Sequence, residues 1–354
     1  MKEIQLSIII PVCNVEKYIG PCLESIFRQG LSDDDCEVII INDGSTDGSM
    51  DVISDMMNTH HNISIITNSE NVGPSVSRNS GMDKAVGKYV LFVDSDDLLM
   101  DNGLTILLKQ AIDTDADMVV PDYVRMKDED IHLPYVCKPS TVNCKPSTVN
   151  CKPSTVNCKP STVNKPGLSY YVEDYDPEIG SFIWRILYKR SFLNDNHIRL
   201  VPGVYYEDIP FLQECYLKAQ RVIGVPLLYY IYRIRPRSCT YSFTMKNAMD
   251  YNTAIANTWN LLKLENLPKR VRKQIHKNLF LFFNYAVDCI IGVFRQPSDR
   301  KEIIRDMKQK VPELSFGGGF KQTFTTIMYR LMPLTYIRCR LFTTKLKNWT
   351  RARL

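Results

Sequence analysis

The feature that most constrains this chain is an alternation over its first ~120 residues of apolar, strand-like runs with amphipathic, helix-like ones. Strands are expected at Leu6–Ile10, Glu37–Ile41, Ile63–Ile66, Tyr89–Val93 and Met118–Val120. Helices are expected near Glu16–Gln29, Gly48–Asn58, Pro74–Lys84 and Asn102–Thr114. Runs such as SIII and EVIII are apolar without a polar interruption, as befits parallel strands buried on both faces. The pattern predicts an α/β fold: an open, mostly parallel Rossmann-like sheet flanked by helices. A mainly helical C-terminal region follows, since Met245 to Lys310 carries helical spacing.

In an open α/β sheet, ligands bind beyond the carboxyl ends of the strands, so the residues after each strand are informative. Strand one runs into Pro11-Val12-Cys13-Asn14, and strand two into Asn42-Asp43-Gly44-Ser45-Thr46-Asp47-Gly48. Strand three leads to Asn68 and Asn71-Val72-Gly73, and strand four to Asp94-Ser95-Asp96-Asp97. Neither a G-x-G-x-x-G after strand one nor a G-x-x-x-x-G-K-[ST] occurs, which argues against a dinucleotide site and a P-loop. A diphosphate would then need its charge met otherwise. Asp94-Ser95-Asp96 can do this through Mg²⁺ or Mn²⁺, hard cations that take carboxylate and phosphate oxygens together. An isolated D-x-D is equally well an Asp-rich turn capping a helix. Its place at the end of the apolar strand YVLFVD favours the ligand reading. Asp43 as an Asx turn and Arg78 as a solvated helix residue are the corresponding bland alternatives.

Four segments taken together, SIIIPVCNVEKYIGPCLESI, VIIINDGSTDGSMDVI, NVGPSVSRNSGMDKAVGKYVLFVDSDDLL and YYEDIPF, resemble a family 2 glycosyltransferase with a GT-A-type fold. The resemblance covers residues 5–99, and the last motif extends it to about residue 211. It implies a first domain that binds a nucleotide-sugar donor, commonly a UDP-sugar. Pro11 and Val12 would flank the base, Asp43 would accept the uracil imide N–H, and Arg78 would lie near the diphosphate. Asp94 would contact ribose or sugar, Asp96 would hold the metal with Asp94, and Ser95 belongs to the same donor-facing turn. Cys13 departs from the family's usual aromatic in P-V-Y-N.

In Tyr205-Tyr206-Glu207-Asp208-Ile209-Pro210-Phe211, adjacent acids by themselves read as a helix start favoured by the dipole. The resemblance makes Glu207 and Asp208 acceptor-side acids, with Asp208 as the general base. A base that removes the acceptor proton while the hydroxyl attacks from the face opposite the diphosphate gives inversion without a covalent intermediate. The leaving group needs no second acid where a metal stabilises its charge, unlike in glycosidases. Trp184, in SFIWRILYKRSFL, resembles the family's W-x-x-L-Y-[KR]-R segment and is open to two roles, stacking on a sugar or anchoring the core. His60, His61, His132, His197 and His276 fit no metal or triad spacing.

Between these motifs CKPSTVN occurs four times in tandem, over residues 137–164. A seven-residue period suggests a coiled coil, but one Pro and one large aliphatic residue per unit leave no a/d stripe. The expectation is a solvated loop whose copy number varies. The domains expected are 1–125, binding nucleotide-sugar; 126–169, linker with the repeats; 170–240, acceptor-side; 241–314, helical; and 315–354, a basic tail.

Charge follows the same partition. The chain has 354 residues, 44 Lys+Arg against 39 Asp+Glu, and net charge +5. From Ser315 to Leu354 there are eight Lys/Arg and no acid, and the repeat adds four Lys, so the remainder stands at −7. An acidic body argues against a nucleic-acid partner. Phe, Ile, Met, Leu and Tyr interleave with the tail's basic residues, and two readings stay open. One is attachment to an anionic membrane surface; the other is a helix packed on the body with a solvated basic face. Leu279 to Phe294, the longest greasy stretch, contains Asn284 and Asp288 and reads as a buried helix, with a membrane span as the alternative. Apart from the repeat, Cys13, Cys22, Cys36, Cys215, Cys239, Cys289 and Cys339 form no C-x-x-C pair, which fits a reduced, cytoplasmic compartment.

The function expected is transfer of a sugar from a nucleotide-sugar to a glycan or lipid-linked acceptor in bacterial surface-polysaccharide assembly. The enzyme would be dependent on Mn²⁺ or Mg²⁺ and peripheral at the inner face of the cell membrane. A nucleotidyltransferase would need a Gly-rich, Lys/Arg-bearing loop where PVCNVEKY stands, and a scaffold without catalysis would not need Asp43, Asp94, Asp96 and Asp208.

Overall fold

The structure, a computed structural model, describes residues 3–131, 162–177, 181–235 and 243–351. These fall into two compact units. The first comprises the described residues of Met1–Tyr170, Glu178–Gly203 and Glu214–Ser238; the second those of Tyr171–Pro177, Val204–Gln213 and Cys239–Leu354.

The first unit opens with β1 (Leu6–Val12), α1 (Glu16–Phe27), β2 (Cys36–Asn42), α2 (Ser49–Met57), β3 (Ile63–Thr67), α3 (Pro74–Lys84) and β4 (Tyr89–Phe92). Each element lies within two residues or so of its expected ends, because the hydrophobic period that marks it is local. β1 pairs in parallel with both β2 and β4, and β2 with β3. Ile8, Ile9, Ile10, Ile39, Ile40 and Ile41 are wholly buried, so the unbroken Ile runs do mark strands covered on both faces. Gly81 of α3 lets the helix settle on the sheet: a Cβ there would lie 2.4 Å from Ile9 Cγ2.

Beyond β4 the sheet becomes mixed. After β5 (Leu98–Leu99) and α4 (Gly103–Thr114) come β6 (Met118–Lys127), β7 (Val163–Lys165), α5 (Gly167–Glu173), β8 (Leu187–Lys189), α6 (Arg190–Asp195), α7 (Asp208–Lys218) and β9 (Val222–Ile234). The strand order is β3-β2-β1-β4-β8-β6-β9-β5, with β7 also on β9. β8 lies antiparallel to both β4 and β6, while β6 and β9 are parallel. The fourth CKPSTVN copy does not end as loop: Val163, Asn164 and Lys165 pair with Gly224, Ile223 and Val222. The main-chain groups of β9 there offer those residues a ladder, which the composition of the repeat does not reveal. The repeat before Thr162 lies outside the described residues, as does His132.

The second unit contains α8 (Met245–Asn260), α9 (Lys269–Tyr285), α10 (Pro297–Lys310), α11 (Phe320–Leu331) and α12 (Pro333–Arg351). The greasy stretch is the end of α9 and a π-helical turn, Ala286–Ile291. Leu279, Phe282, Phe283, Val287 and Ile291 are buried, and Asp288 forms a two-point ion pair with Arg340 at 2.9 and 2.7 Å. Among the described residues no helix is long and apolar enough to cross a membrane.

Candidate active site

Two loops at the carboxyl end of the parallel strands are tied together by their own polar groups. Asn14 sits in the left-handed region (φ 53°), and its Oδ1 accepts from Thr46 N–H at 2.8 Å. Asp47 accepts from Glu16 N–H, and Glu16 in turn from Gly48 N–H. Gly44 (φ 72°) is obligatory: a Cβ there would lie 2.9 Å from Asn71 N. That close approach carries the next loop onto Asp43. Its Oδ1 accepts from Asn68 Nδ2 (2.8 Å) and Val72 N–H (2.9 Å), and its Oδ2 from Gly73 N–H (2.9 Å). Asp43 is therefore buried and shapes the turn that begins α3, while Oδ2 keeps acceptor capacity beyond its bond to Gly73. Val12 is also wholly buried and belongs to the core, and Asp43 N–H donates to its carbonyl at 2.8 Å. Pro11 is half-buried beside it. Cys13 Sγ accepts from Asn71 Nδ2 at 3.1 Å, so the thiol stands over the same loop.

From α3, Arg78 reaches the aspartate turn, donating to Asp94 Oδ1 at 2.7 Å. The turn is closed by Asp97 N–H donating to Asp94 C=O and is held from β9. Tyr230 Oη accepts from Asp94 N–H (3.2 Å) and donates to Asp97 Oδ2 (2.9 Å), while Arg233 N–H donates to Asp97 Oδ1 (2.8 Å). Arg233 Nε donates to Asp96 C=O at 2.7 Å, and its other end pairs with Asp128. Asp96 itself pairs with Arg235, Nε to Oδ2 at 2.5 Å. Both guanidinium groups lie over the Tyr18 ring, 5.1 and 4.9 Å from its centroid. Ser95 is buried between the two acids.

Two carboxyl groups of this turn, those of Asp97 and Asp94, are held above the usual carboxylate range. Burial pushes Asp97 well above the usual carboxylate range, and Asp96 and Asp94 push the same way. Asp94 is raised too, by burial and by Asp96, against the pull of Arg78.

The donor set fits a hard divalent cation in one way only. Asp97 is 1% exposed and held from β9, which leaves Asp94 and Asp96, whose side chains keep 26 and 20% exposure. Among the described residues no group of three or more His, Cys, Asp or Glu is arranged to hold a metal. Two carboxylates suit Mg²⁺ or Mn²⁺ arriving with phosphate oxygens and water, and do not suit an all-protein cage.

Sequence reasoning missed Tyr18, Tyr230, Arg233 and Arg235. Arg233-x-Arg235, two residues apart after an aromatic run and hence on one face of a strand, was the available signal. Trp184 lies in the core and not on a sugar-facing surface. It is 4% exposed, stacks on Tyr230 at 4.1 Å and on Phe182 at 4.8 Å, and meets Tyr123 edge-on.

Glu207 and Asp208 belong to the second unit. Tyr206 before them adopts φ 64°, unusual for a bulky residue, and its ring meets Tyr251 edge-on at 4.9 Å. Tyr205 N–H donates to Asp250, which Lys246 also pairs at 2.6 Å. Glu207 is buried; Asp208, half-buried, is the first residue of α7, where an acid also suits the helix dipole. A buried network of Tyr171, Gln213, Asn278 and Thr258 fixes that helix among α8 and α9.

The family model for glycosyl transferase family 2 matches residues 7–149, the segment that carries Asp43, Arg78, Asp94 and Asp96. Residues 7–149 are a family 2 glycosyltransferase domain. The chain is 30% identical over 248 residues to the uncharacterized glycosyltransferase EpsJ of Bacillus subtilis, covering 69% of this chain and 65% of that one. It is 29% identical over 261 residues to the glycosyltransferase GlyA of Streptococcus pneumoniae, over 68% of this chain. It spans 32% of GlyA's length and 65% of EpsJ's, less than two thirds of either. The S. aureus TarS structure in complex with UDP-GlcNAc superposes with a TM-score of 0.67 at 20% identity, over 96% of this chain and 88% of that one. The fold is thus of the GT-A type, and the mixed part of the sheet, made by strands beyond residue 149, is what the parallel-strand expectation understated.

Proposed function

We propose that the chain is a metal-dependent, inverting glycosyltransferase that uses a nucleotide-sugar, first of all a UDP-sugar. The acceptor is a hydroxyl of a glycan or lipid-linked glycan in surface-polysaccharide assembly. The observation that carries this reading is the acidic rim of the family 2 domain, where Asp43, Asp94 and Asp96 gather at the ends of β2 and β4 with Arg78 among them. The UDP-GlcNAc held by TarS supports the choice of donor.

In this reading Asp43 Oδ2 accepts from the base and the main chain of Pro11 and Val12 borders it. Asp94 and Asp96 hold the cation, which when bound neutralises the diphosphate. Arg78 keeps Asp94 oriented and its charge close to the leaving group. Asp208 takes the acceptor hydroxyl's proton as that oxygen bonds to the anomeric carbon and the C–O bond to the diphosphate breaks; buried Glu207 lies beside it on the acceptor side. Trp184 serves this site from the core, by carrying Tyr230.

The tail supports attachment at an anionic membrane surface. One face of α11 is packed: Tyr329 meets Phe283 edge-on, and Thr325 is buried. The other presents Phe320 (92% exposed), Phe324, Ile327 and Leu331, spaced as one helical stripe, followed by Met332 and Phe342. The outward face is therefore apolar with Lys321 and Arg330 on the same helix, the pattern of a helix lying in a lipid interface. Because the inner face packs on α9, point changes in the stripe test this better than truncation. Phe320→Ser with Phe324→Ser should abolish the flotation of the wild type with anionic liposomes; unchanged flotation refutes attachment through this stripe, and a wild type that does not float refutes attachment itself.

The test of activity is a donor screen for Mn²⁺-dependent release of nucleoside diphosphate, run with Asp208→Ala. That variant should lose transfer and keep donor binding; transfer at the normal rate would refute the base assignment.

A further inference from the structure

Arg233 and Arg235 leave β9 on the same face and over the same ring, yet they are held differently. Arg233 is nearly buried, its main chain and side chain committed to Asp97, Asp96 C=O and Asp128. Arg235 follows the last residue of β9, keeps 19% side-chain exposure, and places its charge on the Asp96 carboxylate, which is itself 20% exposed. An ion pair that water can reach on both sides is exchangeable, whereas a clamped and buried one is not.

The contact atom matters as much as the exposure. Asp96 Oδ2 is one of the few oxygens left for a cation once Asp97 is engaged by Tyr230 and Arg233. Arg235 Nε at 2.5 Å sets a full positive charge against that oxygen, and a cation arriving there would be repelled by it.

We propose that Arg235 is a counter-ion latch: its guanidinium and a divalent cation compete for Asp96, so the cation enters only with a ligand that can draw Arg235 away. This rests on the metal-dependent reading above. A diphosphate supplies both halves of the exchange, oxygens that complete the cation's shell and an anion for the released guanidinium. Metal and nucleoside diphosphate consequently bind with positive coupling, each raising the other's affinity by the same factor. Arg235 sets that factor, and so keeps the acidic rim from taking up free cation.

The experiment is a titration of Mn²⁺ followed by electron paramagnetic resonance of the free ion, with and without UDP, on folded full-length protein. Wild type should bind Mn²⁺ weakly alone and more tightly with UDP. Arg235→Gln should bind Mn²⁺ alone about tenfold more tightly, equivalent to about 1.4 kcal/mol, and should gain correspondingly less from UDP. Arg235→Met, which keeps an apolar stem against Tyr18, should behave alike and serves if the Gln variant folds poorly. In an Asp96→Asn background the gain should vanish. A folded Arg235 variant with unchanged or weaker Mn²⁺ affinity overturns the latch, and so does a gain that survives Asp96→Asn. Wild type that binds no Mn²⁺ even with UDP removes the metal reading along with the latch; wild type that binds it with UDP, beside an unimproved Arg235→Gln, removes the latch alone.

Discussion

Asp43 and Asp96 stand on the same rim of one sheet but are neutralised by opposite means. Asp43 is met by neutral donors of fixed position, an amide side chain and two main-chain N–H groups. Asp96 is met by the tip of a long cationic side chain anchored on another strand. The first arrangement loses its geometry if anything moves, so it suits shape. The second can change partner without unfolding a loop, so it suits exchange. The proposed donor site, rigid toward a base and permissive toward a cation, would use both.

The sharpest way to break this comparison is Asp96→Ala. It should reduce sugar transfer by about 10³-fold or more, as removal of a principal charge-stabilising group does, while the melting temperature stays near wild type. A large fall in melting temperature would make Asp96 structural, like Asp43. Asp43→Ala should do the reverse, costing about 3 kcal/mol because the N–H groups of Val72 and Gly73 and the Asn68 amide lose their acceptor. Urea unfolding measures it, and a cost below about 0.5 kcal/mol would show that the turn does not depend on this carboxylate. Arg78→Met falls between the two cases. It should cost about 2 kcal/mol, less than loss of a fully buried partner, since water reaches Asp94. The smallest effect is expected from Tyr18→Leu: about 0.5–1 kcal/mol from the loss of the ring under Arg233 and Arg235. A larger loss would mean that the ring, more than the carboxylates, places both arginines.

Much of this site is legible in the chain because its strand ends are local. The apolar runs place β1 to β4, and the residues after them must then share a rim, so Asp43, Arg78, Asp94 and Asp96 come together for reasons that sequence alone supplies. What holds Asp96 and Asp97 is not local. Arg233 and Arg235 reach them from 137 and 139 residues away, and nothing near the DSDD turn announces them. Trp184 illustrates the same limit: an indole suits a sugar face or a core equally, and only the presence of Tyr230, Phe182 and Tyr123 around it decides for the core. In the tail, the basic residues predicted a solvated outer face as one alternative. The packing turned Tyr329 inward and left Phe320, Phe324, Ile327 and Leu331 outside together with exposed Lys321 and Arg330.

By itself the sequence determined the parallel half of the sheet, the acidic rim and the helical character of the second unit. Each follows from side-chain period and chain punctuation acting within a few residues. Only the tertiary structure decided that the sheet continues as a mixed one, that Val12 and Trp184 are buried, and that Arg233 is nearly buried while Arg235 keeps 19% side-chain exposure. Those outcomes depend on which distant strand supplies the hydrogen-bonding edge, and on how much water reaches each charge once it does.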